Sequence, residues 1–134
     1  MNNKSHAQFT ISQGSVIENT KKQVLILKLH NSRWVLPGGH LHANEDWLDG
    51  LKREIKEETG ITNFEIKGVV GISTKGSGYG VCFHAVLIEP ESCDIILSEE
   101  HDAYAWVSSK EELDAYDFYH PAIKNCALKV LEQL

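Results

Sequence analysis

The chain has 134 residues, 42% of them hydrophobic and 24% charged, with a formal net charge of −6. These are the proportions of an ordinary globule that can bury a core, and they fit one domain over residues 1–134. The acidic balance argues against a coat for nucleic acid or for an anionic membrane, and no apolar run approaches the ~18 residues that span a bilayer.

Met1 to His6 are followed by no apolar stretch, so no secretory leader is expected. Cys82, Cys93 and Cys126 are odd in number and widely spaced, which favours a reduced, cytoplasmic compartment over a disulfide framework. Residues 9–17 and 23–29 predict strands, the second carrying Val24, Leu25, Ile26 and Leu27, with Glu18, Asn19, Thr20 and Lys21 as the turn between them. Asn31, Ser32 and Arg33 turn the chain into a strand at Trp34. A helix follows, with Asn44 as N-cap, Glu45 and Asp46 at its positive end, and Gly60 as its stop. Leu48, Leu51 and Ile55 form its apolar stripe. Residues 64–74 and 79–89 read as a strand pair joined by Lys75, Gly76, Ser77 and Gly78, and 103–107 as a short strand. Residues 108–113 form a capped helical turn. Residues 121–134 form a helix that starts at Pro121 and buries Ile123, Ala127, Val130, Leu131 and Leu134. The order is α+β, with no repeats and no linker.

The helix at 44–60 carries the chemistry. Glu54, Glu57 and Glu58 stand at i, i+3 and i+4 and share one face, where like charges repel by roughly 0.2–0.5 kcal/mol per pair. A hard divalent cation with oxygen ligands is the natural compensation, so the cluster reads as a magnesium site. Gly50 falls on the same face one turn earlier; glycine costs ~1 kcal/mol there against alanine, and room for a bulky ligand accounts for it. Arg53, at the edge of the cluster, can hold carboxylates bidentately, with Glu45 as its partner two turns earlier. The competing reading, a solvated charged face, does not account for the coincidence of glycines, arginine and carboxylates.

These residues resemble the signature of the Nudix hydrolases, G-x5-E-x7-R-E-U-x-E-E-x-G-U with U aliphatic. Gly39, Glu45, Arg53, Glu54, Ile55, Glu57, Glu58, Gly60 and Ile61 fill every fixed position. Seven identities at about one in fifteen each give on the order of one chance match in 10^8 windows. Trp34, Val35, Leu36, Pro37, Gly38 and Gly39 look like the strand and turn that lead into this box. Two positions depart from the common form: His42 stands where glutamate is usual and Asn44 where glycine is usual. Asparagine tolerates left-handed backbone, and His42 is expected to shift substrate preference or pH dependence.

The resemblance implies a mixed β-sheet sandwiched between α-helices and a Mg²⁺-dependent enzyme (Mn²⁺ as substitute) that splits a diphosphate linked to another moiety. It implies that Glu54, Glu57 and Glu58, with the carbonyl of Gly38, ligate metal, and that Arg53 orients them. Glu100, six residues before Trp106, sits where many members carry a further carboxylate; either it or Glu54 would be the base. The alternatives for Glu100 are a plain acidic surface loop, or Glu99 in its place if the loop is shifted. His40, His42 and His101 lie near the expected site but are read as surface residues. Trp34 and Trp106 are read as core. Tyr116, Phe118 and Tyr119 are candidates for packing on a nucleobase, with core packing the equal alternative, and Lys75 for touching phosphate.

The expected substrate is a small nucleotide, with conversion of a nucleoside triphosphate to monophosphate and pyrophosphate ahead of sugar-nucleotide or ADP-ribose hydrolysis. A binding module that senses such a ligand without cleaving it is the reading from another class, and loss of a signature glutamate would mark it; none is lost. Neither nucleic acid nor membrane is expected as partner, and the resemblance leaves the choice between monomer and homodimer open.

Overall fold

The structure is a computed structural model that describes residues 5–88 and 94–134. Its chain order is β1 (Thr10–Glu18), β2 (Val24–Leu29), β3 (Trp34–Val35), β4 (Gly38–His40), α1 (Trp47–Thr59), β5 (Phe64–Lys75), β6 (Gly78–Leu87), β7 (His101–Val107), α2 (Lys110–Leu113) and α3 (Pro121–Glu132). Glu89, expected to end the sixth strand, and Cys93 lie outside the described residues.

The sheet is mixed, as expected. Its path runs β3-β2-β1-β6-β5, with β4 on β1 and β7 on β2. β1 and β6 pair in parallel from Thr10↔Gly78 to Glu18↔Val86, and the other pairs are antiparallel. Because side chains alternate across a strand, β1 and β2 feed both faces. Ile17, Leu25 and Leu27 join Leu51, Ile55, Ile61 and Phe83 under α1. Val16, Val24 and Ile26 join Val107, Leu113, Ala127 and Val130 under α2 and α3. The unbroken apolar run of β2 is explained by this double cover. Leu51→Ala would empty a fully buried site and is expected to cost about 2–5 kcal/mol in urea denaturation.

The entry to α1 differs from the sequence expectation. Asp46, not Asn44, is the N-cap, accepting from the Leu48 and Asp49 amides at 3.1 and 3.2 Å. Asn44 lies two residues upstream with φ of 63°, in the left-handed region. Glu45 is therefore outside the first turn, with its carboxylate on Arg53 and on the His42 amide. Gly60 does stop the helix, with φ of 79° and its amide on the Lys56 carbonyl at 2.9 Å.

Two further expectations fail for reasons of packing. Gly50 does not make room for a ligand: a Cβ there would stand 2.5 Å from Leu41 Cδ1 and 2.9 Å from Glu45 Oε1, so the space is taken by the loop before α1. Leu134 lies beyond the end of α3 and is exposed, while Ala127 and Val130 carry the buried face, with Leu131 packed at its edge. The stretch from Trp34 to Gly39, expected as a strand and turn, holds β3 and the start of β4, which runs on to His40. The β4 residues pair with Ser12, Gln13 and Gly14, and a Cβ on Gly38 would lie 2.8 Å from Gly14 Cα.

Candidate active site

Three separate elements meet at one end of the sheet: β4, the carboxylate face of α1, and the turn before β7. Arg53 is the hub on α1. Its Nε and Nη2 donate to Glu45 at 2.7 and 3.0 Å, Nη1 donates to Glu54 at 2.8 Å and to Glu57 at 3.4 Å, and Nη2 also reaches the His40 carbonyl at 3.3 Å. This fork holds the Glu45 carboxyl down at about 2, helped by the His42 amide, which donates to Glu45 at 3.0 Å. The guanidinium in turn is held above its ordinary value, first by Glu45. Arg53→Lys keeps the charge and loses the fork. A fall of about 10- to 100-fold in kcat/KM is the expected result in a steady-state assay, with α1 intact by circular dichroism.

Glu58 is buried, and its Oε1 accepts from the Gly38 amide at 2.7 Å. Burial raises its carboxyl to about 7 against the pull of that amide, and the charges of Glu54, Glu100 and Glu57 push the same way. Glu54 is largely covered by Arg53 and by β4: a Cβ on Gly39 would fall within 2.6 Å of the carboxyl atoms of Glu54. Glu57 is exposed.

The turn before β7 brings the third contribution. β7 begins at His101, two residues ahead of the expected start, and pairs His101 with Leu29 across a bulge. This pairing sets Glu100 beside Glu58. His101, read from sequence as a surface residue, is instead only 7% exposed, because strand pairing turns it inward. Its Nε2 faces Glu58 Oε2 at 3.8 Å, and burial lowers its pKa against the opposing charges of Glu100 and Asp102. Donor atoms of Glu58, Glu100 and His101 all lie within 4.8 Å of one another, the one such group of three among the described residues. The three glutamates of α1 do not close such a group by themselves.

His30, which sequence reasoning passed over, clips this turn from outside. Its Nδ1 meets Asp102 Oδ1 at 2.6 Å and its Nε2 meets the Glu99 carbonyl at 2.7 Å, one residue to either side of Glu100 and His101. Both partners only accept, so both ring nitrogens donate, and Asp102 holds the imidazolium pKa up. No sequence signal marked it, since the contact spans 72 residues.

Behind the acidic group a cleft of about 520 Å³ runs between the sheet and α3. Ser12, Gly14, Gly71, Ser73 and Gly80 pave its floor, Asn125 and Lys129 line the α3 side, and Glu58, Glu100 and His101 close one end. The small floor residues are what leave the space open. Tyr116, Phe118 and Tyr119 do not line it. Tyr116 stacks edge-on against Trp34 at 4.7 Å and packs with Phe118 on the core, whereas Tyr119 is exposed with Arg33 5.9 Å from its ring centre. Lys75 ends β5 and is exposed, and His42 is exposed beside Glu45; neither lines the cleft.

The NUDIX domain family model matches residues 8–126 of the chain. The chain is a Nudix hydrolase. Its relatives include the mouse bis(5'-nucleosyl)-tetraphosphatase [asymmetrical], 26% identical over 110 residues that cover 76% of the Nudix chain and 75% of the mouse protein. A MutT-like protein of Streptomyces ambofaciens is 30% identical over 98 residues, covering 73% of this chain and 62% of that one. Among solved structures, the MutT protein from Methanosarcina mazei Go1 superposes with a TM-score of 0.74 and 25% identity, over 97% of this Nudix chain and 98% of its own. The Nudix fold thus accounts for the whole described sheet and its helices. No described helix is long and apolar enough to cross a membrane.

Proposed function

We propose that this Nudix hydrolase is a Mg²⁺-dependent pyrophosphohydrolase of a nucleoside diphosphate derivative, with a nucleoside triphosphate cleaved to monophosphate and pyrophosphate as the first substrate to test. The observation that carries the reading is the placement of Glu58 and Glu100 at the closed end of a cleft large enough for a nucleoside. Oxygen donors at this spacing, with the charges of Glu54 and Glu57 beside them, suit a divalent ion. Such an ion, when bound, neutralises phosphoryl charge and makes an attached water more acidic.

The chain's own residues do the rest. Glu58, Glu54, Glu57 and Glu100 supply ligand oxygens, and the Gly38 amide fixes which oxygen of Glu58 remains free. Arg53 ties Glu54 to Glu45 and sets its direction. Glu100 or Glu54 accepts the proton of the attacking water at a carboxylate oxygen, and the two phosphates part as acid anhydride plus water becomes two acids. The nucleoside part lies along the floor of the cleft, where Ser12, Ser73, Asn125 and Lys129 offer hydrogen bonds. No Phe, Tyr or Trp of the described residues lines the cleft, so the base is read by hydrogen bonds and aliphatic contact rather than by stacking on a ring.

Phosphate and pyrophosphate release from a panel tests this reading. The panel holds nucleoside triphosphates, a dinucleoside tetraphosphate, ADP-ribose, sugar nucleotides and a 5'-triphosphate RNA, each with Mg²⁺ and with a Glu57→Gln control. Turnover of one class, lost in the control, is the expected outcome. Tight binding with no turnover across the panel would replace the enzyme with a nucleotide sensor.

A further inference from the structure

The imidazole at the acidic group is not accounted for by the glutamate signature. Three observations bear on it. His101 is almost fully buried, although an uncommitted polar ring at a strand start would be expected to face water. Its Nδ1 lies 3.3 Å from Ser98 Oγ, and that hydroxyl also receives the Glu100 amide at 3.4 Å, so Ser98 holds both neighbours in one turn. Its Nε2 points the other way, to Glu58 Oε2 at 3.8 Å, outside hydrogen-bond range. When Nδ1–H is donated to Ser98, the lone pair of Nε2 is free and faces Glu58. This is the arrangement by which a histidine is oriented for a metal, with its second nitrogen spent on a fixed oxygen acceptor.

The separation fits as well. Two donors about 2.1 Å from one ion are about 3.0 Å apart at right angles and about 4.2 Å apart when opposed. The 3.8 Å between Nε2 and Glu58 Oε2 falls between these limits.

We propose that His101 is a metal ligand, and that Glu58, Glu100 and His101 form a mixed oxygen–nitrogen site that favours Mn²⁺ or another divalent transition ion over Mg²⁺. Imidazole adds affinity for borderline ions and little for Mg²⁺, which is satisfied by oxygen. The inference rests on the reading of Glu58 and Glu100 as metal ligands, and it adds a position that the glutamate signature does not contain.

The test uses the full chain, stripped of metal and titrated with Mn²⁺. Electron spin-echo envelope modulation is recorded at limiting and at saturating Mn²⁺, for the unaltered chain and for His101→Gln. Modulation from a directly bound ¹⁴N is expected in the unaltered chain and absent in the variant. Mn²⁺ affinity is expected to fall by about 10-fold or more in His101→Gln, while Mg²⁺ affinity, read by calorimetry, changes less than about 3-fold because the glutamine carbonyl still offers an oxygen. Absence of ¹⁴N modulation at both Mn²⁺ levels in the unaltered chain overturns the proposal, whether or not the variant folds. Modulation that persists in a folded His101→Gln assigns the nitrogen to another histidine and overturns it too. Turnover is a separate axis: nucleotide hydrolysis with no nitrogen ligation leaves the hydrolase reading standing alone, and nitrogen ligation without hydrolysis does the reverse.

Discussion

Replacing Glu58 by glutamine is expected to lower turnover with Mg²⁺ on the order of 10^3-fold while leaving the metal-free fold intact or more stable. The glutamine carbonyl can still accept the Gly38 amide that Glu58 Oε1 accepts at 2.7 Å, so the local geometry survives. On the proposed reading, what is lost is one of the negative charges that balance the divalent ion. The same residue gives the metal-free protein a pH signature. The native state keeps the Glu58 proton up to about 7, whereas the unfolded chain releases it near the ordinary value of 4.5. Between these values the native state binds more protons than the unfolded chain, so stability falls as pH rises. The contribution is fully present below about 4.5 and is lost as pH passes through about 7. It amounts to about 3 kcal/mol at most, or roughly 10 °C in Tm for a chain of this size. Melting curves in EDTA from pH 5 to 8 are expected to decline for the unaltered chain and to be flatter for Glu58→Gln. Mg²⁺ is expected to remove most of the decline, because binding releases that proton. A flat profile in both proteins would sink the account of Glu58 as a carboxyl strained by burial.

The second large effect is expected from a single methyl group. In Gly39→Ala the added Cβ would stand within 2.6 Å of the Glu54 carboxyl atoms, and Glu54 cannot turn aside without breaking its 2.8 Å bond to Arg53. Either the carboxylate or β4 must shift by about an ångström, and a misplacement of that size costs on the order of 10^2-fold in kcat. KM is expected to change little, since the cleft floor is made by other residues. The combination Gly39→Ala with Glu54→Asp makes room by shortening the acid. It is expected to recover the melting temperature lost in the single variant but not its turnover. Recovery of both would mean that Glu54 is a packing partner of β4 and not part of the chemistry.

Much of the candidate site was legible in one dimension because α1 is a regular helix. Spacing alone put Glu54, Glu57 and Glu58 on one face, placed Leu51 and Ile55 in the core, and located the stop at Gly60. The reach from Arg53 to Glu45 also followed from turns of chain, although Glu45 makes it from an extended loop and not from within the helix. Asp46 is the cap, and Glu45 reaches Arg53 from the loop that precedes it.

The strands were legible for the same reason, as runs of β-branched and apolar residues between turn formers. Their partners were not. β4 is only three residues long and rich in glycine, so it has no propensity of its own. It exists because Ser12, Gln13 and Gly14 offer it an edge, and it then delivers the Gly38 amide to Glu58 and Gly39 to Glu54.

Residue types and local periodicity therefore determined the α+β order, the position of α1 and the cluster of acids on it, all of which depend on contacts within a few residues. The tertiary structure alone decided that Glu100 and His101 stand beside Glu58, that His30 clips their turn, and that the aromatic group at 116–119 supports the core instead of the cleft. Each of these depends on pairing between segments tens of residues apart, set by register and by which face each strand buries. Neither quantity is written in any local stretch of the chain.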